Sequence, residues 1–598
     1  MIKNRRYIIQ FFFLMVALIY IVKLMHIQVI DDSYKLAAED NVVTREVEYP
    51  YRGLIYDRND KLIVINNPIY DLMLVPKEMK VSDTSTFCNL FEITEEEFIE
   101  KSKSARKYSM VKPSVFISKL SNEEFASLQD KLVDYPGFFV VARTVRRYPY
   151  NSFSNVLGYI GEIDKRRLNR DTTNLYRQGD YIGISGLESK YEEDLRGTRG
   201  VKYKMVNVRG IEKGSFKDHQ YDTLSIPGEN LVSTVDIELQ RYGEFLLGNQ
   251  VGSLVAIEPK TGEILSMVST PSYDPNELSG RNFSKNYSRI QSDSLNPLFN
   301  RPIQADQYPP GSIFKMIQAL IALEEGVITP NTRVVCDRRI IACHGPHSYE
   351  DLQGAIQHSC NPYFHQTFKR ILNQGKSDSY NEDSAIGMEN WRQHLLSFGL
   401  GRRLGVDIPN EKPGVIPTVE LYDRIYGKGH WNFYTVYSLA IGQGELGVSP
   451  LQMANFASII ANRGYYIQPH LVKKVGEQAP HQYEKKYTRV SSEHYEIVVN
   501  AMETVVKSGT GIRANIPDLD VCGKTGTAEN PHGEDHSAFI AFAPKEDPQI
   551  AIAVYVENAG QGGRAAAAIA GLMIEKYMKK EVQRTWMEDF VLKGDFIY

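Results

Sequence analysis

Cysteine and tryptophan are scarce in this chain, which has five Cys and three Trp among its 598 residues. So few cysteines exclude a disulfide scaffold. Neither sign of charge dominates, since 69 Lys and Arg stand against 73 Asp and Glu, and this balance does not indicate a nucleic-acid-binding protein. Repeats, heptads and low-complexity tracts are also absent from the sequence. With 42% hydrophobic and 24% charged residues, the composition is globular, which excludes wholesale disorder, collagen and a multi-span membrane protein.

One long apolar run is present, and it lies at the N-terminus. Residues 7–22 carry no charge, and Lys3, Arg5 and Arg6 precede them. As a helix the run spans about 24 Å, slightly short of a ~30 Å hydrocarbon core, and Lys23 can snorkel so that the helix continues. A cleaved signal peptide is the alternative, but no small-residue cleavage site follows promptly. We predict an uncleaved single-pass anchor, with its N-terminus in the cytoplasm and the rest of the chain outside.

The body of the chain changes character near residue 233. Before this point, short β-like runs at 61–65 and 70–76 and a charged helical stretch at 93–107 predict an extended α+β region. After it, helical segments alternate with strands, which predicts a mixed sheet covered by helices. The predicted division is an anchor at 1–30, regions at 31–232 and 233–580, and a C-terminal tail at 581–598.

Ser312 and Lys315 form a Ser-x-x-Lys motif at the predicted start of a helix. Residues three apart share one face of a helix, so the Lys315 amine can lie against the Ser312 hydroxyl. A serine hydroxyl attacks only when a base takes its proton, and a desolvated lysine can act as that base. Residues 308–311, Tyr-Pro-Pro-Gly, give the helix a rigid entry. A second copy, Ser104 and Lys107, lies in an exposed charged helix, and we interpret it as chance.

Lys524, Thr525 and Gly526 form a Lys-Thr-Gly motif that we place on a strand. The motif offers a cation, a hydroxyl for a substrate carboxylate, and a glycine that lets a substrate backbone approach. An ordinary β-turn is the alternative for this tripeptide. The earlier copy at 260–262 precedes the Ser-x-x-Lys motif, and we interpret it as such a turn.

Ser359 and Asn361 form a Ser-x-Asn motif between the other two motifs. They lie in a patterned helical segment, residues 352–368, where a hydroxyl and an amide can be fixed toward a cleft. Two other copies precede the Ser-x-x-Lys motif. A third, Ser379–Asn381, lies in a stretch that we predict to be a mobile polar loop.

The order Ser-x-x-Lys, Ser-x-Asn, Lys-Thr-Gly is that of penicillin-binding proteins and serine β-lactamases. The chain resembles the class B penicillin-binding proteins, most of all their elongation-specific group, penicillin-binding protein 2, over nearly everything after the anchor. Further matching segments are RGLIYDR (52–58), TVRRYPY (144–150), LGYIGEI (157–163), GISGLESKYEEDLRGTRG (183–200), IGQGELGVSPLQMA (441–454) and GKTGTAE (523–529). The resemblance implies a membrane-anchored α+β protein: an extended α+β pedestal, then a penicillin-binding, β-lactamase-like transpeptidase domain with an antiparallel sheet flanked by helices.

The resemblance also implies an activity and residue roles. The activity is a serine-type D-Ala-D-Ala transpeptidase that cross-links peptidoglycan stem peptides during cell elongation, with minor D,D-carboxypeptidase activity and acylation by β-lactams. Ser312 is then the nucleophile and Lys315 its base. Ser359 relays a proton, Asn361 holds the substrate amide, and Lys524 completes the electrostatic cradle. No cofactor is implied for catalysis.

At the Lys-Thr-Gly motif and the residue after it, the resemblance implies substrate binding. Thr525 and Thr527 bind the terminal carboxylate of the donor peptide, with Gly526 between them. The backbone N–H groups of Ser312 and Thr527 form the oxyanion hole.

Three of the five cysteines fall close together in sequence, near two histidines. Cys336, Cys343, His347 and Cys360 predict a closed Cys₃His zinc site, with His344 as the substitute ligand. Such a zinc ion is structural rather than hydrolytic. A Cys336–Cys343 disulfide outside the cytoplasm and buried free thiols are the alternatives.

Partners follow from the resemblance as well. It implies a polytopic SEDS glycosyltransferase of the RodA type at the anchor and pedestal, other elongation-complex proteins and the membrane, but no nucleic acid. The expected location is the inner (cytoplasmic) membrane, with the catalytic domain in the periplasm or outside. A division-specific class B transpeptidase, a β-lactamase-like enzyme, and a penicilloyl-serine sensor or scaffold on the same fold remain open as alternatives.

Overall fold

The computed structural model describes residues 2–26, 43–206, 212–344 and 347–596. Its contacts divide the chain into two compact units. The first unit comprises residues 1–53, 68–143 and 196–229, and the second comprises residues 54–67, 144–195 and 230–598. The boundary predicted at residue 30 lies outside the described residues.

The N-terminal helix runs from Ile2 to Met25. Its segment Tyr7–Met25 is long and apolar enough to cross a membrane, and none of that segment is buried in the protein. The helix continues past Lys23, as the snorkelling argument predicts. It therefore fits a single-pass membrane anchor.

Capping residues and an aromatic core shape the first unit. Helices Glu95–Tyr108 and Asn122–Leu128 each begin at a capping box, formed by Thr94 and Ser121 with the glutamates three residues later. The helix predicted at 93–107 is thereby confirmed. The aromatic core is formed by Phe87, Phe98, Phe116 and Phe138.

The first unit contains further short elements. Strand Val43–Glu48 pairs antiparallel with strand Gly200–Val206. Strands Leu62–Leu74 and Phe138–Arg147 contribute residues to both units. The remaining elements are helix Thr84–Leu90, strands Ser114–Leu120 and Glu212–Ser215, and the 3₁₀ turns Leu132–Asp134 and Phe216–His219.

A five-stranded antiparallel sheet, called here the central sheet, forms the middle of the second unit. Its strands are buried on both faces because helices cover each: Ile237–Leu247 and Ala566–Lys579 on one, Pro450–Ala461 on the other. The predicted antiparallel sheet flanked by helices is confirmed. The strand order is Ile264–Thr270, Gly252–Ile257, Ile550–Val556, His536–Ala543 and Cys522–Ala528.

The helix that follows Ser312, Lys315–Glu324, is called here the serine helix. It is buried from Lys315 to Leu323, because helices Asn361–Leu372 and Ser492–Ser508 pack around it. This apolar packing fixes the first turn of the serine helix against the edge of the central sheet. The segment predicted as a C-terminal tail contains helix Thr585–Lys593, which packs on the core through Met587 and Val591.

Shorter elements complete the second unit. The helices are Ser154–Leu157, Lys165–Leu168, Gly186–Lys190, Glu192–Leu195, Phe283–Gln291, Arg301–Gln304, Leu352–Gln357, Tyr380–Ser397, Val419–Tyr426 and Phe433–Val436. The strands are Ile55–Tyr56, Ile160–Glu162, Tyr181–Gly183, Leu231–Ser233, Val334–Val335, Tyr349–Glu350, Tyr465–Ile467, Val472–Val475 and Lys485–Tyr487. The 3₁₀ turns are Pro275–Leu278, Gly311–Phe314, Tyr437–Ile441 and Ile512–Ala514.

Candidate active site

Ser312 lies in a tight segment, residues 308–314, called here the serine turn. Gly311 has a φ of +54° and donates its N–H to the Gly442 carbonyl at 3.0 Å. A Cβ on Gly311 would lie 2.4 Å from the Thr527 carbonyl oxygen, so only glycine permits this approach to the edge strand. Ser312 itself is half-buried, whereas its neighbours Ile313 and Phe314 are buried.

Lys315 is fully buried, and its ammonium is held by the Ser-x-Asn motif. Lys315 Nζ donates to the Ser359 carbonyl at 2.7 Å, to Ser359 Oγ at 3.1 Å and to Asn361 Oδ1 at 2.5 Å. None of the hydrogen bonds that Lys315 makes to the described residues goes to Ser312. Burial lowers the pKa of Lys315 to about 7.

Ser359 is not on a helix, and the expectation from the patterned segment is wrong at this residue. Helix Leu352–Gln357 ends before it and helix Asn361–Leu372 begins after it. Ser359 itself has a φ of +56°, in the left-handed region that few non-glycine residues adopt. The sharp turn lets the Ser359 hydroxyl and carbonyl both reach Lys315, which a continuous helix would not allow.

Lys524 reaches the same hydroxyl. It is fully buried on the edge strand Cys522–Ala528, and its Nζ donates to Ser359 Oγ at 3.1 Å and to the Thr525 carbonyl at 3.0 Å. Burial lowers the pKa of Lys524 well below its usual value, and the nearby Lys315 lowers it further. The motif lies on a strand, so the alternative of an ordinary β-turn is excluded. The copy at 260–262 does form a turn between two strands of the central sheet.

The edge strand also carries Thr525 and Thr527, whose hydroxyls have different partners. Thr525 Oγ1 lies 2.7 Å from Thr510 Oγ1, and Thr527 Oγ1 accepts a hydrogen bond from the Gly562 N–H at 3.3 Å. Thr527 is half-buried, whereas Thr525 is buried. Sequence reasoning missed Thr510, which lies in a Ser-Gly-Thr-Gly segment with no motif signal of its own.

Gly526 contacts the protein itself rather than an open groove. A Cβ there would lie 2.8 Å from the Pro310 carbonyl oxygen and 2.9 Å from Ile313 Cγ1. Gly526 therefore lets the serine turn approach the edge strand. The sequence suggested instead that this glycine lets a substrate backbone approach. Gln443 also reaches this strand, because its Nε2 donates to the Thr527 carbonyl at 3.5 Å.

Asn361 joins these residues to the cysteine-bearing loop. Its side-chain Nδ2 donates to the Ala342 carbonyl at 2.7 Å, and its backbone N–H donates to Cys343 Sγ at 3.4 Å. The Asn361 side chain is thus fixed on both sides, with Oδ1 on Lys315 and Nδ2 on the loop.

The ligand atoms of Cys336, Cys343, His347 and Cys360 all lie within 4.8 Å of one another, and these four residues are called here the thiol cluster. Cys343 Sγ and His347 Nε2 are 3.4 Å apart, and all five cysteines of the chain are free thiols. Hydrogen bonding from Cys360 lowers the pKa of Cys343 to about 4, so one thiolate is favoured among the three sulfurs. Three thiols and one imidazole form a donor set that suits tetrahedral zinc.

His347 also belongs to a second group that the sequence did not reveal. Its ring stacks on that of His358 with 5.4 Å between centroids, and Glu350 Oε1 lies 2.8 Å from His358 Nδ1. The substitute ligand His344 is in neither group among the described residues.

The remaining Ser-x-Asn copy is ordered, which corrects the prediction of a mobile loop. Ser379 caps helix Tyr380–Ser397 by accepting a hydrogen bond from the Glu382 N–H. Asn381 Nδ2 donates to the Gly429 carbonyl at 2.7 Å. The polar run that suggests mobility thus contains an N-cap followed by a glutamate, a helix-start signal.

Family models match most of the chain. The model described as penicillin binding protein transpeptidase domain matches residues 252–575. The model described as penicillin-binding protein dimerisation domain matches residues 47–233.

Individual relatives and structures agree with these matches. The chain is 30% identical to the peptidoglycan D,D-transpeptidase MrdA of Acinetobacter baumannii, over 90% of this chain and 81% of the relative. A structure of the complex between penicillin-binding protein PBP2 and MreC from Helicobacter pylori aligns with a TM-score of 0.73 and 25% identity, covering 90% of this chain and 99% of that one. A chain from a peptidoglycan synthase complex that coordinates polymerization and crosslinking aligns with a TM-score of 0.69 and 25% identity, covering 97% of this chain and 99% of that one.

Proposed function

Because this chain belongs to the penicillin-binding protein transpeptidase family, we propose that it cross-links peptidoglycan during cell elongation as a class B D,D-transpeptidase, through an acyl-enzyme on Ser312. One observation carries the proposal: the Ser359 hydroxyl connects two buried lysines, Lys315 and Lys524, beside the serine turn. Two buried ammonium groups that share one hydroxyl repel each other, which favours a neutral amine at neutral pH. A neutral lysine next to a serine is what general-base activation requires.

The first step forms an ester and releases D-alanine. Ser312 Oγ attacks the carbonyl carbon between the two D-alanines of a stem peptide, and its proton passes to the neutral Lys315 amine. The N–H groups of Ser312 and Thr527 stabilise the oxyanion. The amide C–N bond then breaks, and a proton relayed through Ser359 goes to the leaving amine.

Substrate groups are recognised around this centre. Thr525 and Thr527 bind the terminal carboxylate of the donor, with Lys524 supplying positive potential. Asn361 accepts or donates to the substrate amide, and its two anchored hydrogen bonds support that role. The second step transfers the acyl group to an amine of another stem peptide, and transfer to water gives minor carboxypeptidase activity.

Fluorescent penicillin labelling tests the proposal. We expect the full chain to be labelled covalently and Ser312→Ala to lose all labelling, because the ester oxygen is gone. Ser104→Ala is the matched control, since Ser104 heads the other Ser-x-x-Lys copy in an exposed helix, and it should label like the wild type. Equal labelling of Ser312→Ala would contradict the assignment of the nucleophile.

The surroundings of the enzyme follow from the anchor helix and the relatives. We propose that residues 7–22 hold the chain in the inner membrane, with the N-terminus in the cytoplasm and the catalytic unit in the periplasm or outside. We also propose that a RodA-type SEDS glycosyltransferase and further elongation proteins bind the anchor and the 31–232 pedestal. The PBP2–MreC complex and the synthase complex among the similar structures support this environment. Co-purification of the full chain with such a glycosyltransferase tests the contact.

The thiol cluster supports a structural zinc ion. Cys336, Cys343, His347 and Cys360 fit the ion because they supply four donors around one point and already hold one favoured thiolate. Bound zinc would fix the cysteine-bearing loop against Asn361, and it would take no part in the acyl transfer. Because Cys360 lies between Ser359 and Asn361, the ligand set and the catalytic motif share one segment.

A further inference from the structure

The group formed by His347, Glu350 and His358, called here the outer group, has no role in the proposed acyl transfer. One ligand atom from each of its three residues lies within 4.8 Å of the others. Zinc bonds to nitrogen and oxygen are about 2.0–2.2 Å long, so two ligands of one ion can be about 4 Å apart. The three residues are therefore close enough to hold one metal ion after a small movement of a side chain.

A glycine on the intervening helix leaves the space in which the outer group forms. Glu350 precedes helix Leu352–Gln357, and His358 directly follows it. A Cβ on Gly354, within that helix, would lie 1.9 Å from Glu350 Oε2. The Glu350 carboxylate thus lies against the helix where a larger residue would displace it. From there its Oε1 reaches to 2.8 Å from His358 Nδ1.

Exposure to solvent increases from the thiol cluster to the outer group. Cys336 and Cys360 are buried, whereas 45% of the His358 side chain is exposed. His347 is half-buried and belongs to both groups. An ion that arrives from solvent can therefore reach His358 first, and His347 connects that position with the buried thiols.

The two groups differ in how tightly their donors hold zinc. The outer group offers two imidazoles and one carboxylate, a set of three ligands that leaves a coordination position open to water. The thiol cluster offers three sulfurs and the same His347, which is a closed set with the soft ligands that zinc favours. An ion bound by the outer group is therefore stabilised further when it moves to the thiol cluster.

We propose that the outer group is a second metal site, which captures a divalent transition-metal ion from solvent and passes it to the thiol cluster through His347. The assignment rests on the structural zinc ion proposed above. His358 and Glu350 bind the ion first, and His347 lies next to the thiols, with its Nε2 3.4 Å from Cys343 Sγ. The thiols release their protons to water when they bind the ion. The outer group thus sets how fast the ion enters and leaves, and the thiol cluster sets how tightly it is held.

Metal exchange in the full chain tests the proposal. A chelator first removes the zinc, and cobalt(II) is then the probe, because its bonds to thiolates absorb light and report arrival at the thiol cluster. We expect His358→Gln to slow both cobalt loading and cobalt release about tenfold, the lower end of the usual effect of removing a group beside a metal. The route by which the ion enters is also the route by which it leaves, so the dissociation constant of the thiol cluster should keep its wild-type value.

Matched variants make the result specific. Glutamine at position 358 keeps an N–H donor for the buried Glu350 carboxylate, so the variant loses the imidazole ligand without leaving that carboxylate unpaired. His344→Gln makes the same change at an exposed histidine beside Cys343, which is in neither group among the described residues, and should leave both rates unchanged. Equal unfolding temperatures of the metal-free variants show that a change in rate does not come from a loss of fold.

Each outcome decides one point. Wild-type loading and release rates in His358→Gln overturn the outer site and leave the structural zinc ion standing. Faster release with unchanged loading also overturns it, because His358 would then support the thiol cluster rather than capture the ion. A wild-type chain that shows no thiolate absorption with cobalt overturns both the outer site and the zinc ion, whereas penicillin labelling tests the transpeptidase proposal separately.

Discussion

The Ser359 hydroxyl contacts the amines of both Lys315 and Lys524, and protonating both amines at once is unfavourable. Lys315 and Lys524 each donate to it at 3.1 Å, and both lysines are fully buried. Burial penalises each ammonium, and for Lys524 the nearby positive charge of Lys315 adds to the penalty. An unprotonated lysine is therefore favoured near neutral pH, and the proposed mechanism uses Lys315 as its base.

The lowered pKa of Lys315 predicts how acylation depends on pH. The pKa of Lys315 is lowered to about 7, so the amine is protonated below that pH and cannot accept the Ser312 proton. We expect the second-order rate of penicillin acylation to fall about tenfold per pH unit on the acid side and to level off above the pKa. Stopped-flow labelling from pH 5 to pH 9 measures it, and a flat profile would contradict Lys315 as the base.

The candidate catalytic residues could be proposed from sequence because they form short motifs in a fixed order. Their geometry could not be found in the same way. The φ of Ser359 arises from packing between two helices, and the Thr510–Thr525 contact joins residues from different elements. Neither leaves a local pattern in the sequence.

At the scale of elements, the serine turn and the edge strand pack closely because each contributes one glycine at the contact. Gly311 approaches the Thr527 carbonyl, and Gly526 approaches the Pro310 carbonyl. The strand can therefore lie directly against the serine turn.

Gly311→Ala tests this arrangement. We expect penicillin labelling to be lost and the unfolding temperature to fall, because the new Cβ would meet a backbone oxygen at 2.4 Å and no flexible side chain can move aside. Labelling and thermal unfolding of the same preparation give both readouts.

Gly326→Ala is the control for that variant. Gly326 also has a positive φ, +66°, but a Cβ there meets nothing within 4 Å. Only the backbone strain of about 1 kcal/mol remains, so this variant should label normally. If both variants labelled and unfolded alike, the close approach of Gly311 to the Thr527 carbonyl would not be needed for labelling.

Element prediction succeeded where local signals agree and failed where they compete. The helix at Glu95–Tyr108 has a capping box and an amphipathic pattern, and both are visible in sequence. The stretch around Ser379 is polar enough to suggest mobility, yet Ser379 and Glu382 start a helix whose Trp391 and Leu395 are buried. The burial of Trp391 and Leu395 stabilises this helix, and the polar composition around Ser379 does not reveal that burial.

At the scale of the whole molecule, the chain returns to each unit more than once. Residues 54–67 and 144–195 belong to the same unit as residues 230–598. Local periodicity reads one segment at a time, so it predicts a single change near residue 233 and misses these returns. The thiol cluster differs, because its four residues fall between positions 336 and 360 and could be recognised together.

Zinc removal is the test at this scale, because a ligand that binds only the folded state stabilises the whole fold. We expect the purified full chain to contain about one zinc ion per molecule, the number that one closed Cys₃His set can hold. A strong chelator, or Cys343→Ser, should lower the unfolding temperature by several degrees. Both should also slow penicillin acylation, since Asn361 donates its N–H to Cys343 and holds Lys315 through Oδ1.

Cys88→Ser provides the comparison, because Cys88 is a buried free thiol of the first unit, outside the thiol cluster. It should retain the metal and the acylation rate even if it loses some stability. Metal analysis, thermal unfolding and labelling on one preparation separate the two effects. A chain that carries no metal, and whose acylation is indifferent to both the chelator and Cys343→Ser, would mean that the loop is held by its hydrogen bonds alone. In that case the thiol cluster would position Asn361 beside Lys315 as free thiols, without a bound ion.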